Sequence, residues 1–165
     1  MAARRKKSKK RSAASSKQPE LVLFLDRNLG RRIVAERLRR EGVRVEIHDD
    51  HFPEQRTPDE VWLRFAGERG WVVVTPDARI RYRANEKAAV ESANVRQFVL
   101  TARRLTGSEM GEVLAKAVPK IRQLVDDVEP PFIGKITKGS SVSLYETFGK
   151  HKRKKKGRGR RGSST

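Results

Sequence analysis

Two fully apolar runs, Leu21-Val22-Leu23-Phe24-Leu25 and Trp71-Val72-Val73-Val74, each break off at a polar segment that carries an aspartate, Asp26 in the first case and Asp77 in the second. A run that is apolar at every position belongs to a strand covered on both faces, as the central strands of parallel sheets are. Both runs fall far short of a membrane span. Between and after them the pattern changes in kind. Over residues 28–40, Leu29, Ile33, Val34 and Leu38 recur at helical spacing, and Gly42 follows as a helix terminator. Val43, Val45 and Ile47 alternate with polar residues and predict a second strand. Thr57-Pro58-Asp59-Glu60 reads as a capping box, predicting a helix to about residue 69 with Val61, Trp62, Phe65 and Ala66 on its apolar face and Gly70 at its end. A short helix over 84–92 and a strand over 95–101 come next.

Ser108 is the expected cap of a longer helix in which Met110, Val113, Leu114, Ala117, Ile121, Leu124 and Val125 share one side, with Pro119 expected to kink or split it. Residues 132–137 and 142–145, separated by Lys138-Gly139-Ser140-Ser141, predict a terminal hairpin on the sheet edge. Strand and helix alternate through most of this stretch, which predicts an α/β sheet with helices on both faces.

The 165-residue length suits one domain with a real core. Charge is unevenly placed along it. Residues 1–17 hold eight Lys and Arg and residues 150–165 hold nine, neither with an acid, which leaves 22 basic against 20 acidic residues between positions 18 and 149. Like-charged runs rich in Ser, Gly and Lys bury too little apolar surface to offset chain entropy. The expectation is therefore a disordered basic arm over 1–19, a nearly neutral folded domain over 20–148 and a disordered basic tail over 149–165. Polyanions are the natural partners of such arms, since each phosphate neutralised releases counterions. Neither arm carries aromatic or leucine residues to insert into a lipid surface, so no membrane partner is expected. With no cysteine, disulfides, thiolate zinc sites and cysteine nucleophiles are excluded. Ser12-Ala13-Ala14-Ser15-Ser16 is no apolar signal core, and the expected location is the cytoplasm.

In open α/β sheets, ligands bind in the crevice beyond the carboxyl ends of the strands. Asp26 ends the first predicted strand, Asp77 lies just past the third, and Asp59 begins the helix between the second and third. Carboxylates gathered there repel one another and are relieved by protonation or by a cation. Mg²⁺ or Mn²⁺ suits an all-oxygen donor set. Local alternatives stand beside this reading. Asp26 would serve as the cap of the helix near Asn28, Asp59 as an acid favoured by the helix dipole, and Asp77 as a turn residue bonding its own backbone. His48, Asp49, Asp50 and His51 read as loop residues, with Asp50 a candidate acid in support of the metal ligands. Trp62 and Trp71 read as core. Arg79, Arg81 and Arg83 are candidate phosphate-binding residues, with a solvated basic stretch as the alternative for the last two.

Taken in order, Phe24-Leu25-Asp26-Arg27-Asn28-Leu29-Gly30, Asp50-His51-Phe52, Pro58-Asp59-Glu60-Val61-Trp62 and the stretch from Gly70 to Ile80 containing Thr75-Pro76-Asp77 resemble a PIN-like domain, nearest the ribonucleases of the VapC toxin group. The resemblance covers residues 20–146. It implies a three-layer α/β fold with a mainly parallel sheet of four to five strands and a C-terminal hairpin. It further implies a metal-dependent ribonuclease with Asp26, Asp59 and Asp77 as catalytic metal ligands, Glu60 as a substitute for Asp59, and Mg²⁺ or Mn²⁺ as cofactor. A fourth acid shortly after the third is usual in such nucleases, and Arg79 stands in its place here. The reaction expected is hydrolysis of an RNA phosphodiester to leave a 5′-phosphate, with RNA, an antitoxin protein and a second copy of the chain as partners. The rival expectation is a non-catalytic nucleic-acid or ribosome-binding protein built on a degenerate PIN-like domain. A phosphoacceptor receiver domain also fits an α/β sheet but would need a second acid beside Asp26.

Overall fold

The computed structural model describes residues 20–148 except 30 and 55, so the two basic segments lie outside the described residues. In chain order the elements are β1 (Val22–Leu25), α1 (Arg31–Arg40), β2 (Arg44–Ile47), α2 (His48–His51), α3 (Asp59–Glu68), β3 (Val72–Thr75), a 3₁₀ turn (Ala78–Arg81), α4 (Ala84–Ala93), β4 (Arg96–Leu100), α5 (Gly107–Asp127), β5 (Phe132–Ile136) and β6 (Val142–Thr147). The strands form one six-stranded sheet in the order β2-β1-β3-β4-β5-β6. The first five are parallel and β6 runs antiparallel to β5, closing the expected hairpin.

The apolar runs are explained by two cores. Leu23 and Leu25 of β1, with Val72 and Val74 of β3, face Val34 and Leu38 of α1 and Leu114 and Ile121 of α5. The residues between them, Phe24 and Val73, face the other way, onto Trp62, Leu63 and Ala66 of α3 and Val90 of α4. Successive strand side chains point to opposite faces, and here both faces are covered, so every position of β1 and β3 is buried. Gly42 and Gly70 end α1 and α3 at φ of +76° and +68°, the left-handed conformation that a side chain disfavours. No helix among the described residues is long and apolar enough to cross a membrane.

Several local expectations are corrected. Residues 48–51 form one helical turn rather than a loop, with His48 buried at its start. The Thr57 capping box does not form: α3 begins one residue later, Pro58 is its N-cap without a side-chain bond, and the Thr57 hydroxyl turns to the Glu54 carbonyl. Thr106 rather than Ser108 caps α5, because only Thr106 has a glutamate three residues on, and Thr106 and Glu109 exchange reciprocal bonds of 3.1 and 3.0 Å. Pro119 does not split α5, which runs unbroken with Val118 and Ile121 buried on either side of it. Ile33 and Val61, expected on apolar faces, are about half exposed.

Candidate active site at the carboxyl edge of the sheet

Register places Leu25 beside Val74, so Asp26 emerges next to Thr75. The Asp26 amide extends the pairing by donating to the Val74 carbonyl at 3.0 Å. Its carboxylate accepts the Thr75 hydroxyl at 2.7 Å and the Asn28 amide. The aspartate therefore bonds within the turn that precedes α1, a helix that begins at Arg31 rather than near Asn28. Burial pushes its pKa above the ordinary carboxylate value, and the nearby Asp59 charge adds to the rise against the lowering bonds from Thr75 and Asn28.

Thr75 also organises the third aspartate. Its hydroxyl oxygen accepts the Asp77 amide at 3.1 Å. Asp77 then caps the 3₁₀ turn through the Arg79 amide at 3.0 Å, and the Arg79 guanidinium grips both carboxylate oxygens at 3.0 and 3.1 Å. That charged pairing holds Asp77 below its usual pKa.

Asp59 opens α3 and accepts the Trp62 indole N–H at 3.0 Å. Trp62 is stacked on Phe24 of β1 with ring centroids 5.9 Å apart, which ties the first turn of α3 to the sheet. Glu60 lies one position further round the helix, in the cleft between α3 and α4 with Arg64 and Asn85. It is Asp59 whose charge reaches Asp26 and Glu86.

Glu86 escaped the sequence reading. In the first turn of α4, its Oε2 is buried without a hydrogen-bond partner, and its Oε1 lies 3.5 Å from the Arg83 guanidinium. Burial first, then the Asp77 charge, and more weakly the Asp59 charge, raise its pKa. The close approach of α3 and α4 that sets this geometry rests on Gly67, where a Cβ would meet the Ala93 carbonyl oxygen. The only sequence signal for Glu86 was an acid in a helix's first turn, which the dipole explains without any site.

Asp59 is thus within electrostatic reach of both Asp26 and Glu86, and Glu86 is within reach of Asp77 as well. They are not drawn into contact. Among the described residues no group of three or more His, Asp or Glu is close enough to hold a metal ion, and each aspartate engages a protein donor instead. The three arginines expected to bind phosphate also have intramolecular partners: Arg79 on Asp77, Arg83 near Glu86, and Arg81 against the rings of Tyr82 and Tyr145. Asp50 is exposed in a cavity of about 840 Å³ on the α1 side, with Arg27, Arg32 and Asp49. His48 is packed among Phe24, Phe52 and Trp62, and His51 is bound to Glu46 at 2.8 Å, so this histidine pair is structural.

Residues 21–102 match the family model described as "PIN like domain". Over 79 residues the chain is 34% identical to a Mycobacterium tuberculosis protein named "Putative ribonuclease VapC45", an alignment covering 46% of this chain and 57% of that protein. The chain therefore spans little more than half the length of this relative. No solved structure gives a significant match.

Proposed function

We propose that the carboxyl-edge acids form the centre of a Mg²⁺- or Mn²⁺-dependent endoribonuclease of the toxin kind, a reading supported by the match of residues 21–102 to the PIN-like domain model. The observation that carries this reading is the linkage of the four acids: Thr75 bonds both Asp26 and Asp77, Asp59 acts on Asp26 and Glu86, and Glu86 Oε2 is buried without a hydrogen-bond partner. An all-carboxylate set fits a hard divalent cation. In that role Glu86 supplies the fourth acid in place of the position held by Arg79. A bound cation would lower the pKa of a water and neutralise charge on the scissile phosphate.

The chain's own residues supply the rest. Thr75 fixes Asp26 and Asp77 relative to one another through a single hydroxyl. Arg79 neutralises Asp77 while no cation is present, and its exposed guanidinium is placed to turn from the carboxylate to an incoming phosphate. Arg83 stands in the same relation to Glu86.

The described residues begin and end at the opposite edge. Thr147 pairs with Phe132, which lies level with Arg96, Val72 and Leu23, so Phe148 and Glu20 both sit at the amino ends of the parallel strands. We assign the basic segments a grip on RNA phosphates. An antitoxin and a second copy of the chain are the protein partners this reading expects, in the cytoplasm.

Purified full-length protein should cleave RNA with Mg²⁺ or Mn²⁺ and leave 5′-phosphate ends, and Asp26→Asn or Asp77→Asn should abolish cleavage with the fold intact by circular dichroism. Wild-type cleavage by both variants would refute the assignment. A second reading, a non-catalytic RNA- or ribosome-binding protein, is favoured by one observation: Arg79 already satisfies both oxygens of Asp77. It predicts no Mn²⁺ binding by calorimetry and RNA affinity that disappears when the basic segments are neutralised.

A further inference from the structure

Tyr82 is the most exposed large side chain with apolar surface in the described domain, at 72%. It is not an isolated surface tyrosine. The Arg81 guanidinium lies 5.2 Å from the Tyr82 ring centroid and 5.4 Å from that of Tyr145, so one cation is held against two aromatic rings. Arg81 Nε is buried with no hydrogen-bond partner, so ring faces rather than acceptors hold it. Tyr145, from the outer strand β6, is 40% exposed and donates its hydroxyl to the Arg81 carbonyl at 3.5 Å. The group is anchored beside Asp77, because the Tyr82 amide bonds the carbonyl of Arg79, the residue that grips Asp77.

From this we propose that Tyr82, backed by Arg81 and Tyr145, is a stacking platform for an unpaired base of single-stranded RNA next to the acidic edge. The proposal rests on reading that edge as a ribonuclease centre and names the form of its substrate. An aromatic face in water is satisfied by any apolar partner, but three arginines within five residues, two of them with more than half of the side chain exposed, select a polyanion. Stacked bases with phosphates between them match alternating ring and guanidinium surfaces. Duplex RNA hides its base faces and fits poorly.

The test measures binding, without catalysis, by the full-length chain in EDTA. A short single-stranded oligonucleotide carrying 2-aminopurine and a duplex of the same length are titrated at salt high enough to weaken the basic segments. Tyr82→Ala should weaken single-strand binding by about 5- to 100-fold, remove the quenching of 2-aminopurine, leave duplex binding and the salt slope unchanged, and be rescued by Tyr82→Trp. Unchanged single-strand affinity in Tyr82→Ala, or equal losses for strand and duplex, would overturn the platform. Failure of the ribonuclease reading is separable: it appears as no Asp26-dependent cleavage, whatever the result at Tyr82.

Discussion

Thr75 donates its hydroxyl to Asp26 across the β1–β3 pair at 2.7 Å, and the same oxygen accepts the amide of Asp77 at 3.1 Å. One side chain that is almost wholly buried thus sets the spacing of two candidate ligands. Thr75→Val removes the donor and the acceptor while keeping the shape. It should destabilise the domain by about 1–3 kcal/mol, the cost of leaving largely buried polar groups unpaired. Cleavage should fall by about 10- to 100-fold, the usual loss when a support of a metal ligand is removed. Thr75→Ser, which retains the hydroxyl, should recover most of both. Chemical denaturation and initial rates check the pair.

Burial of Asp26 carries a cost to stability. Its folded pKa is raised by burial, so the folded state holds the proton more firmly than the unfolded chain does. Ionisation of Asp26 then works against the fold. The penalty is absent below the unfolded pKa and grows as pH rises through the folded one. Asp26→Asn should therefore raise the thermal midpoint by a few degrees near pH 7, with the gain shrinking towards about pH 3.5, while RNA cleavage is lost. Calorimetric scans across pH measure the trend, and a gain that grew as pH fell would contradict the cause given.

Glu86→Gln preserves shape and removes charge from a carboxyl group whose Oε2 lacks a hydrogen-bond partner. If Glu86 is the fourth acid, Mn²⁺ affinity and cleavage should each fall by about 10- to 100-fold, with stability near neutral pH unchanged or slightly improved as repulsion from Asp77 and Asp59 is relieved. Glu60→Gln, in the α3–α4 cleft, should leave both activities near wild type.

Arg79 has opposite effects on two ligands. Arg79→Gln removes the guanidinium that holds Asp77 ionised, so Mn²⁺ should bind several-fold more tightly. RNA should bind more weakly, with a salt slope lowered by about 0.7, the signature of one lost phosphate contact on a single strand. The stabilising contact with Asp77 is present above that carboxyl's unfolded pKa and is lost as pH falls through the depressed folded value, so wild type and variant should converge in acid.

Much of the fold was legible because two-faced burial writes itself directly into residues 21–25 and 71–74, and because helix ends at Gly42 and Gly70 need a left-handed residue. The positions of Asp26 and Asp77 followed from the strands they come after, and that of Asp59 from the helix it begins. Glu86 did not, since nothing local distinguishes it from an ordinary first-turn glutamate. Only the packing of α4 against α3 across Gly67 brings it near the others. Arg79, Arg81 and Arg83 were all candidate phosphate ligands in sequence, yet a carboxylate, two rings and a glutamate claim them separately in the fold. Ser108 and Thr106 were two residues apart, and the partner glutamate decided between them.

The most direct measurement is anomalous diffraction from crystals of the full-length protein soaked in Mn²⁺. One peak contacting the carboxylates of Asp26 and Asp77, with Asp59 or Glu86 in the same coordination shell and Arg79 turned away, is the predicted result. Absence of any peak at saturating Mn²⁺, or a peak lying outside these four acids, would contradict the shared cation on which the account depends.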